Sequence, residues 1–567
     1  MSEWAERKPE RLALAYLTES GEERADRRWT YAELIGRARA VAARLGDTLE
    51  PGDRALLLYP PGLHFVAAFL GCLAAGVVAV PSPLPDGRNR AHDRTARILT
   101  DAHTAVVLTE TSVMPVIKAW SDTLSTPVMA VATDIVPSDA CRNFVPARLT
   151  SSDIAFLQYT SGSTNEPKGV IVTHGNLLHN THELGVRIEK DQSFSMLGWL
   201  PQYHDMGLIG MLLWPLFYGG TSRFLSPTAF IRHPIQWIRA MSKHRATISV
   251  APNFAFDLVV RRCSSEALAG VDLSSVRSIL NGSEPVQWAS IERFTELLTP
   301  FGLAEHAVTP VYGLAEATLF VTGDPHARAV TTAVVDSDAL ADNRLVLVAP
   351  GTPRSRVLVA SGSVGGTEVA IIGHKGFPLQ DGAIGEVWLR GASIAAGYWN
   401  LPELSADIFD ATPVGGTSGW LRTGDLGALA AGKLFVTGRS KDVIIVNGRN
   451  LYAQDIETAA RTATHVLAGG VGAAFAVGTP ERLVLVHEVR VDHLGQTSLD
   501  EVHTAVCSAV LAEFATPLSE LVLVAKGEVA RTTSGKIRRA YMRAAYEADR
   551  IVPFHHPEFA PVQESSR

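Results

Sequence analysis

Between two apolar runs, Ile154 to Tyr159 and Val170 to Val172, the chain places Thr160-Ser161-Gly162-Ser163-Thr164-Asn165-Glu166-Pro167-Lys168-Gly169. Small hydroxyl residues and exposed backbone amides let a phosphate chain approach closely, and a lysine offsets its charge. Thr160, Ser161, Gly162, Ser163, Thr164 and Lys168 are therefore candidates for a phosphate-binding loop. The segment is not a Walker A loop, because Pro167 stands where the glycine before the lysine would be and Gly169 replaces the following hydroxyl residue. Taken alone it also matches a polar surface turn, since Ser, Thr, Asn and Gly cluster in turns for local reasons.

Far downstream, Arg531-Thr532-Thr533-Ser534-Gly535-Lys536-Ile537-Arg538-Arg539 presents one lysine on a glycine turn. A mobile ammonium there suits a reaction that brings a carboxylate against the α-phosphate of ATP, where two anions crowd together. Two further segments set a carboxylate beside glycine: Tyr312-Gly313-Leu314-Ala315-Glu316-Ala317-Thr318 and Trp420-Leu421-Arg422-Thr423-Gly424-Asp425-Leu426. Glu316 is a candidate ligand for Mg²⁺, Asp425 for the ribose hydroxyls, and Tyr312 for stacking on adenine, with Gly313 and Ala315 beside them. Each segment alone is more commonly a helix-capping acid, a core tyrosine or a solvated basic turn. No GxSxG elbow and no HExxH pair is present, so no side-chain nucleophile or zinc site is signalled.

The elements that must hold these residues follow from the apolar pattern. From about Asp53 to Ser283, β-branched runs (Ala55 to Leu58, Val77 to Val80, Ala105 to Thr109, Ile154 to Tyr159, Val170 to Val172, Thr247 to Val250) alternate with helical segments. The helices are expected over Leu63 to Ala75, Asn176 to Ile188, Ile231 to His244 and Phe254 to Ala267. The fold class is α/β, with two related α/β halves. After Thr331 the runs Arg356 to Ala360, Glu368 to Ile372 and Gly385 to Arg390 predict a small β subdomain. Beyond Gly438 strands and helices mix again, which sets off a C-terminal domain over 438–567 from an N-terminal one over 1–437.

A chain of 567 residues is too long for one ordinary core. Its 46% hydrophobic and 19% charged residues fit a folded globular protein. The formal charge of -7, with no basic run, argues against nucleic acid as a partner. Cys72, Cys141, Cys263 and Cys507 form no CxxC pair, so reduced thiols are expected. The N-terminal residues lack a signal-peptide pattern, and the most apolar stretch, Ala55 to Pro83, is interrupted by Pro60-Pro61, His64 and Gly76. A cytoplasmic protein without a membrane span is expected.

The order of the segments resembles the adenylate-forming superfamily of acyl-CoA synthetases, luciferases and peptide-synthetase adenylation domains, over nearly the whole chain. The matching runs are YTSGSTNEPKG, YGLAEAT, WLRTGDLG, GRSKDVIIVNGRNLYAQDIE from Gly438 to Glu457, and RTTSGKIRR. The resemblance implies that Lys536 is the adenylation lysine, Glu316 the magnesium ligand, Asp425 the ribose ligand and Arg439 a second nucleotide contact. It further implies that Lys441 sits at a hinge about which a mobile α+β C-terminal domain turns, and that Gly282-Ser283-Glu284-Pro285 is the adenine-binding loop.

Within the superfamily the likeness is greatest to the fatty acyl-AMP ligases. Trp199-Leu200-Pro201-Gln202-Tyr203-His204-Asp205-Met206-Gly207-Leu208-Ile209-Gly210 matches their histidine segment, and the run Ala251 to Arg262 a helix start typical of them. Thr331 to about Gly362 occupies the position of that branch's insertion, which restrains domain movement. His204 is either a core histidine at a strand end or, as the resemblance implies, a gate between the ATP site and the acyl pocket. The implied reaction joins a fatty-acid-like carboxylate to ATP with Mg²⁺, then passes the acyl group to the phosphopantetheine of an acyl carrier protein. An acyl-CoA synthetase, an aryl or β-amino acid ligase, or a non-catalytic nucleotide- or acyl-binding protein are the alternatives. Oligomeric state, chain length, head group and pathway are not encoded in these motifs.

Overall fold

The computed structural model describes residues 1–85, 94–141, 144–160, 166–188, 190–191, 193–446, 449–495, 497–531 and 535–554. Two large sheets form the first part of the chain. One has six strands in the spatial order Ala130–Ala132, Val106–Thr109, Arg54–Leu58, Val78–Ser82, Ile154–Thr160, Lys168–Thr173. All its pairings are parallel except the last, an antiparallel hairpin that matches Thr160 with Lys168. The other has eight strands, ordered Phe320–Gly323, Val308–Gly313, Ser278–Gly282, Ile248–Pro252, Ser195–Gly198, Thr221–Phe224, Leu12–Tyr16, Arg28–Thr30. One contiguous core spans both sheets and includes Leu57, Phe69, Phe156, Trp214, Trp237 and Phe294.

The parallel strands are continuous apolar runs because helices cover both faces of such sheets. Arg54–Leu58, for instance, is buried from Ala55 onward. The helix Leu63–Ala75 spans the residues its pattern predicts and stops where Gly76 adopts φ +73°, the left-handed conformation that suits a helix end. The predicted helix Ile231 to His244 is split into Pro227–Arg232 and Ile235–Lys243, because Pro234 lacks an N–H and pushes His233 out of the helical region. The predicted helix Phe254 to Ala267 covers Asn253–Arg262 only. Cys263 is extended, and the Ser264 hydroxyl accepts the Ala267 N–H at 3.2 Å to start a separate turn.

A four-stranded antiparallel sheet follows, Glu368–Ile372, Gly385–Arg390, Leu421–Ala430 and Lys433–Arg439. Its core takes in Tyr312, Leu314 and Val321 from the end of the eight-stranded sheet. The run expected as an insertion is a structured unit: Thr332–Asp336 pairs with Ser355–Val359 around the short helix Ser337–Ala341, capped by Asp336. Ala333, Val335, Leu340 and Leu358 pack with Ile384, Phe435 and Tyr452. Arg356 is ion-paired with Asp455, and Asp338 with Arg354 and Arg449, while the Asn450 amide donates to the Ala341 carbonyl at 3.1 Å.

From Ile444 onward a distinct core forms around Ile456, Ala460, Leu485, Val502 and Val506. Its sheet is Gly472–Val477, Arg482–Glu488 and Glu520–Val524. Among the described residues no helix is long and apolar enough to cross a membrane, and the four cysteines are free thiols.

Candidate active site

In an open parallel sheet, ligands bind beyond the carboxyl ends of the strands. Those ends carry the residues singled out above. Ser195–Gly198 leads to His204, Ile248–Pro252 to the helix starting at Asn253, Ser278–Gly282 to Ser283 and Glu284, and Val308–Gly313 to Glu316.

Glycine is required at two of these exits. A Cβ on Gly282 would lie 2.8 Å from Val311 Cγ2, and one on Gly313 only 1.8 Å from the Leu319 carbonyl oxygen. Ser283, next in the turn, has φ +72°, a conformation that costs a non-glycine residue energy. Glu284 directs its carboxylate to the first turn of Asn253–Arg262, accepting the Phe254 N–H at 2.5 Å. Burial raises its pKa, with the Phe254 bond and Lys536 opposing.

Thr160 and Lys168 close the hairpin at paired positions. Ser161, Gly162, Ser163 and Thr164 lie outside the described residues. The hairpin is tied to the histidine segment by Gln158, whose amide donates to the Tyr203 carbonyl at 3.0 Å. Gln202 fixes that segment from the other side, accepting the Gly62 N–H at 2.8 Å and donating to its carbonyl at 2.9 Å. His204 Nδ1 lies 2.6 Å from Asp205 Oδ1, and the same oxygen accepts the Met206 N–H at 2.7 Å. Burial works to raise the Asp205 carboxyl, but His204 and then Lys536 outweigh it and hold the group below the ordinary carboxylate range. The next residues, Met206–Leu213, form a buried π-helix, a wide-turn element frequent at functional sites. Gly207 allows it to pass the Pro201 carbonyl.

Glu316 sits in the turn Ala315–Ala317. Its Oε1 accepts the Tyr398 hydroxyl at 2.8 Å, and the Lys168 ammonium lies 5.2 Å from the centre of the Tyr398 ring. Asp425 is 5% exposed; its Oδ2 accepts the Tyr312 hydroxyl at 2.7 Å and its Oδ1 faces Arg439 Nε at 2.8 Å. The Tyr312 ring is packed in the small sheet's core with 9% exposure. Its phenol is pushed well up by burial and by Asp425, so it stays a donor. Asp425 raises the Arg439 guanidinium above its ordinary value.

Lys536 comes from the far end of the chain to this cluster. Solvent still reaches it, yet surrounding protein and then Arg439 push its ammonium below the ordinary lysine value, against the pull of Asp205, Asp425 and Glu284. Its turn is anchored by Arg539, which bonds both Glu457 oxygens at 2.7 Å and Asp442 at 3.1 Å. Thr532, Thr533 and Ser534 lie outside the described residues. Lys441 is in the single turn Ser440–Asp442 linking Lys433–Arg439 to Val443–Val446. Burial and Arg439 lower its ammonium.

Sequence reasoning missed Tyr398, Gln158 and Gln202. The glutamines bond mainly to backbone, and the Gly-Tyr-Trp-Asn run around Tyr398 holds no charge that would flag it.

The cluster thus gathers four carboxylates, Asp205, Glu284, Glu316 and Asp425, with Lys168, Lys536 and Arg439, and known proteins share its framework. Residues 1–399 match the family model described as AMP-binding enzyme. The chain is 39% identical over 531 residues to the medium-chain-fatty-acid acyl-carrier-protein ligase JamA of Moorena producens (strain JHB), covering 91% of this chain and 89% of that protein. It is 38% identical over 542 residues to a 4-hydroxyphenylalkanoate adenylyltransferase of Mycobacterium marinum, covering 92% and 86%. A crystal structure of the fatty acyl-adenylate ligase from L. pneumophila in complex with acyl adenylate and pyrophosphate superposes with a TM-score of 0.76 at 36% identity, over 97% of this chain and 95% of that one. With seven-tenths of its length inside the family model and relatives 38–39% identical over about nine-tenths of it, the chain belongs to the AMP-binding enzymes and is a ligase with their adenylate-forming fold.

Proposed function

We propose that this enzyme activates a fatty or related apolar carboxylic acid with ATP and passes the acyl group to the phosphopantetheine thiol of an acyl carrier protein. The observation that carries the reading is that Lys536, from the last tenth of the chain, lies near enough to Asp205, Asp425, Glu284 and Arg439 for their charges to act on its ammonium. In the first step a carboxylate oxygen attacks the α-phosphorus, the bond to the β-phosphate oxygen breaks, and acyl-AMP and pyrophosphate form. Lys536 stabilises the two anions as they close. Asp425 takes the ribose hydroxyls, with Tyr312 and Arg439 holding it, and the Gly282 to Glu284 turn borders the adenine. Lys168 and the hydroxyl loop meet the β- and γ-phosphates. His204, oriented by Asp205, separates the anhydride from water. In the second step the thiol sulfur attacks the acyl carbon and AMP leaves.

Glu316 suits Mg²⁺, a hard cation bound through one or two carboxylates together with substrate phosphates and water. Among the described residues no group of three ligating side chains forms a cage, and one carboxylate beside Lys168 fits that mode. The cation would neutralise phosphate charge. Lys441 serves as the pivot between 1–437 and a mobile 438–567, and the cores on either side of it support that division. The insertion's ion pairs with Arg449 and Asp455 support its role as a restraint on this movement. The carrier protein as acceptor and a cytoplasmic setting belong to the same reading.

The test is ATP–pyrophosphate exchange over a panel of fatty, hydroxyphenylalkanoic and amino acids, followed by transfer from the best substrate. Exchange with fatty acids and transfer to a phosphopantetheinylated carrier in preference to free coenzyme A are expected. Transfer to free coenzyme A at an equal rate would overturn the acceptor assignment, and exchange only with amino or aryl acids would overturn the substrate class.

A further inference from the structure

Tyr398 touches both charged groups facing the proposed pyrophosphate end of ATP. Its hydroxyl donates to Glu316 Oε1 at 2.8 Å, and its ring lies under the Lys168 ammonium at 5.2 Å. The backbone around it joins the same two elements. Ala396 N–H donates to the Ile171 carbonyl at 2.9 Å, Ile171 N–H to Gly397 at 2.9 Å and Trp399 N–H to Gly169 at 2.7 Å, so the segment lies along the strand that begins at Lys168. On the other side Ala395 N–H donates to the Glu316 carbonyl at 3.0 Å and the Thr318 hydroxyl to the Ser393 carbonyl at 2.7 Å.

The ring itself is fixed. It is 9% exposed, packs edge-on against Phe409 at 5.0 Å, and its backbone N–H is held by the Ser405 hydroxyl at 2.8 Å. An immobilised donor on one carboxylate oxygen decides which oxygen is left for a cation and in what direction. A ring face under an ammonium sets where that charge stands.

Resting on the reading of Glu316 as the cation's ligand, we infer that Tyr398 is a positioning residue that orients the Glu316 carboxylate toward the magnesium ion and couples it to Lys168. Its loss weakens the cation's hold without affecting the carboxylic acid substrate.

The variants are Tyr398→Phe, which keeps the ring and removes the hydroxyl, Glu316→Gln, and both together. Binding of Mn²⁺ in the presence of a non-hydrolysable ATP analogue, followed by electron paramagnetic resonance, gives a readout apart from turnover. Magnesium titration of pyrophosphate exchange gives a second. Loss of one hydrogen bond to a charged group predicts a cation affinity about 10- to 150-fold lower in Tyr398→Phe, with the KM for the fatty acid unchanged. In Glu316→Gln the same substitution should add nothing. If Glu316→Gln binds Mn²⁺ like the wild type, the assignment of Glu316 fails and the inference with it. If Glu316→Gln weakens the cation while Tyr398→Phe does not, or if the two effects simply add, the inference alone is overturned.

Discussion

Replacing Asp425 by asparagine gives the sharpest test of the nucleotide site. An ionised carboxylate offers about four lone-pair sites, and the structure uses one on each oxygen: Tyr312 Oη at 2.7 Å on Oδ2, and Arg439 Nε at 2.8 Å on Oδ1. One site per oxygen is left, which matches the two hydroxyls of a ribose. Asparagine keeps the shape but loses the charge and one acceptor. Its NH₂ must turn toward Tyr312, whose hydroxyl can accept, because Arg439 can only donate. Hydrogen bonds to charged groups contribute about 1.5–3 kcal/mol, so kcat/KM for ATP should fall about 10- to 150-fold at about 1.4 kcal/mol per decade. Pyrophosphate exchange with ATP, 2′-deoxy-ATP and 3′-deoxy-ATP, at saturating fatty acid, then forms a cycle between enzyme and substrate. Each missing hydroxyl should cost the wild type more than it costs Asp425→Asn, with a coupling of roughly 1 kcal/mol or more. If each deoxynucleotide loses the same factor on both enzymes, to within about 0.5 kcal/mol, Asp425 does not hold the ribose.

Lys536→Ala should abolish acyl-AMP formation, and near-normal pyrophosphate exchange in that variant would refute the assignment. Because the Lys536 ammonium is held below its ordinary value, adenylation should decline with rising pH before the ~10.4 of a free lysine, and Lys536→Arg should flatten that limb of the profile. His487 is wholly buried, and burial lowers its imidazole to about 4. With the folded value below the unfolded one of about 6.5, its contribution is present above pH 6.5 and is lost as pH falls toward 4, about 3 kcal/mol in all. Unfolding of the full chain at pH 7.5 and 5 should show less acid loss in His487→Gln, and an equal loss would refute this. Arg356→Gln, which breaks the ion pair with Asp455 while leaving the insertion's core residues in place, should raise transfer to free coenzyme A. No rise, with adenylation intact, would count against the restraint.

Much of this protein was legible from order along the chain. The α/β rhythm, the helix Leu63–Ala75 and the hairpin around the hydroxyl loop follow from local periodicity and from residues whose conformational limits act within a few positions. The same locality misleads where a strong periodic run crosses a breaker, as at Pro234, or meets a competing side-chain bond, as at Ser264. Glu316, Asp425 and Lys536 could be named from their motifs, because their charge marks them within the run.

What the motifs could not supply was the set of partners. That Asp425 is already held by Tyr312 and Arg439, that Gln202 clasps Gly62 across 140 residues, and that Tyr398 touches both Glu316 and Lys168 depends on strands brought side by side from distant parts of the chain. A neutral tyrosine or glutamine carries no signal of its own, and its role is set by what the fold places 3 Å away. The sequence by itself determined the reactive groups and their order; the tertiary structure alone decided how each is aimed, because hydrogen bonds act in space and not along the chain.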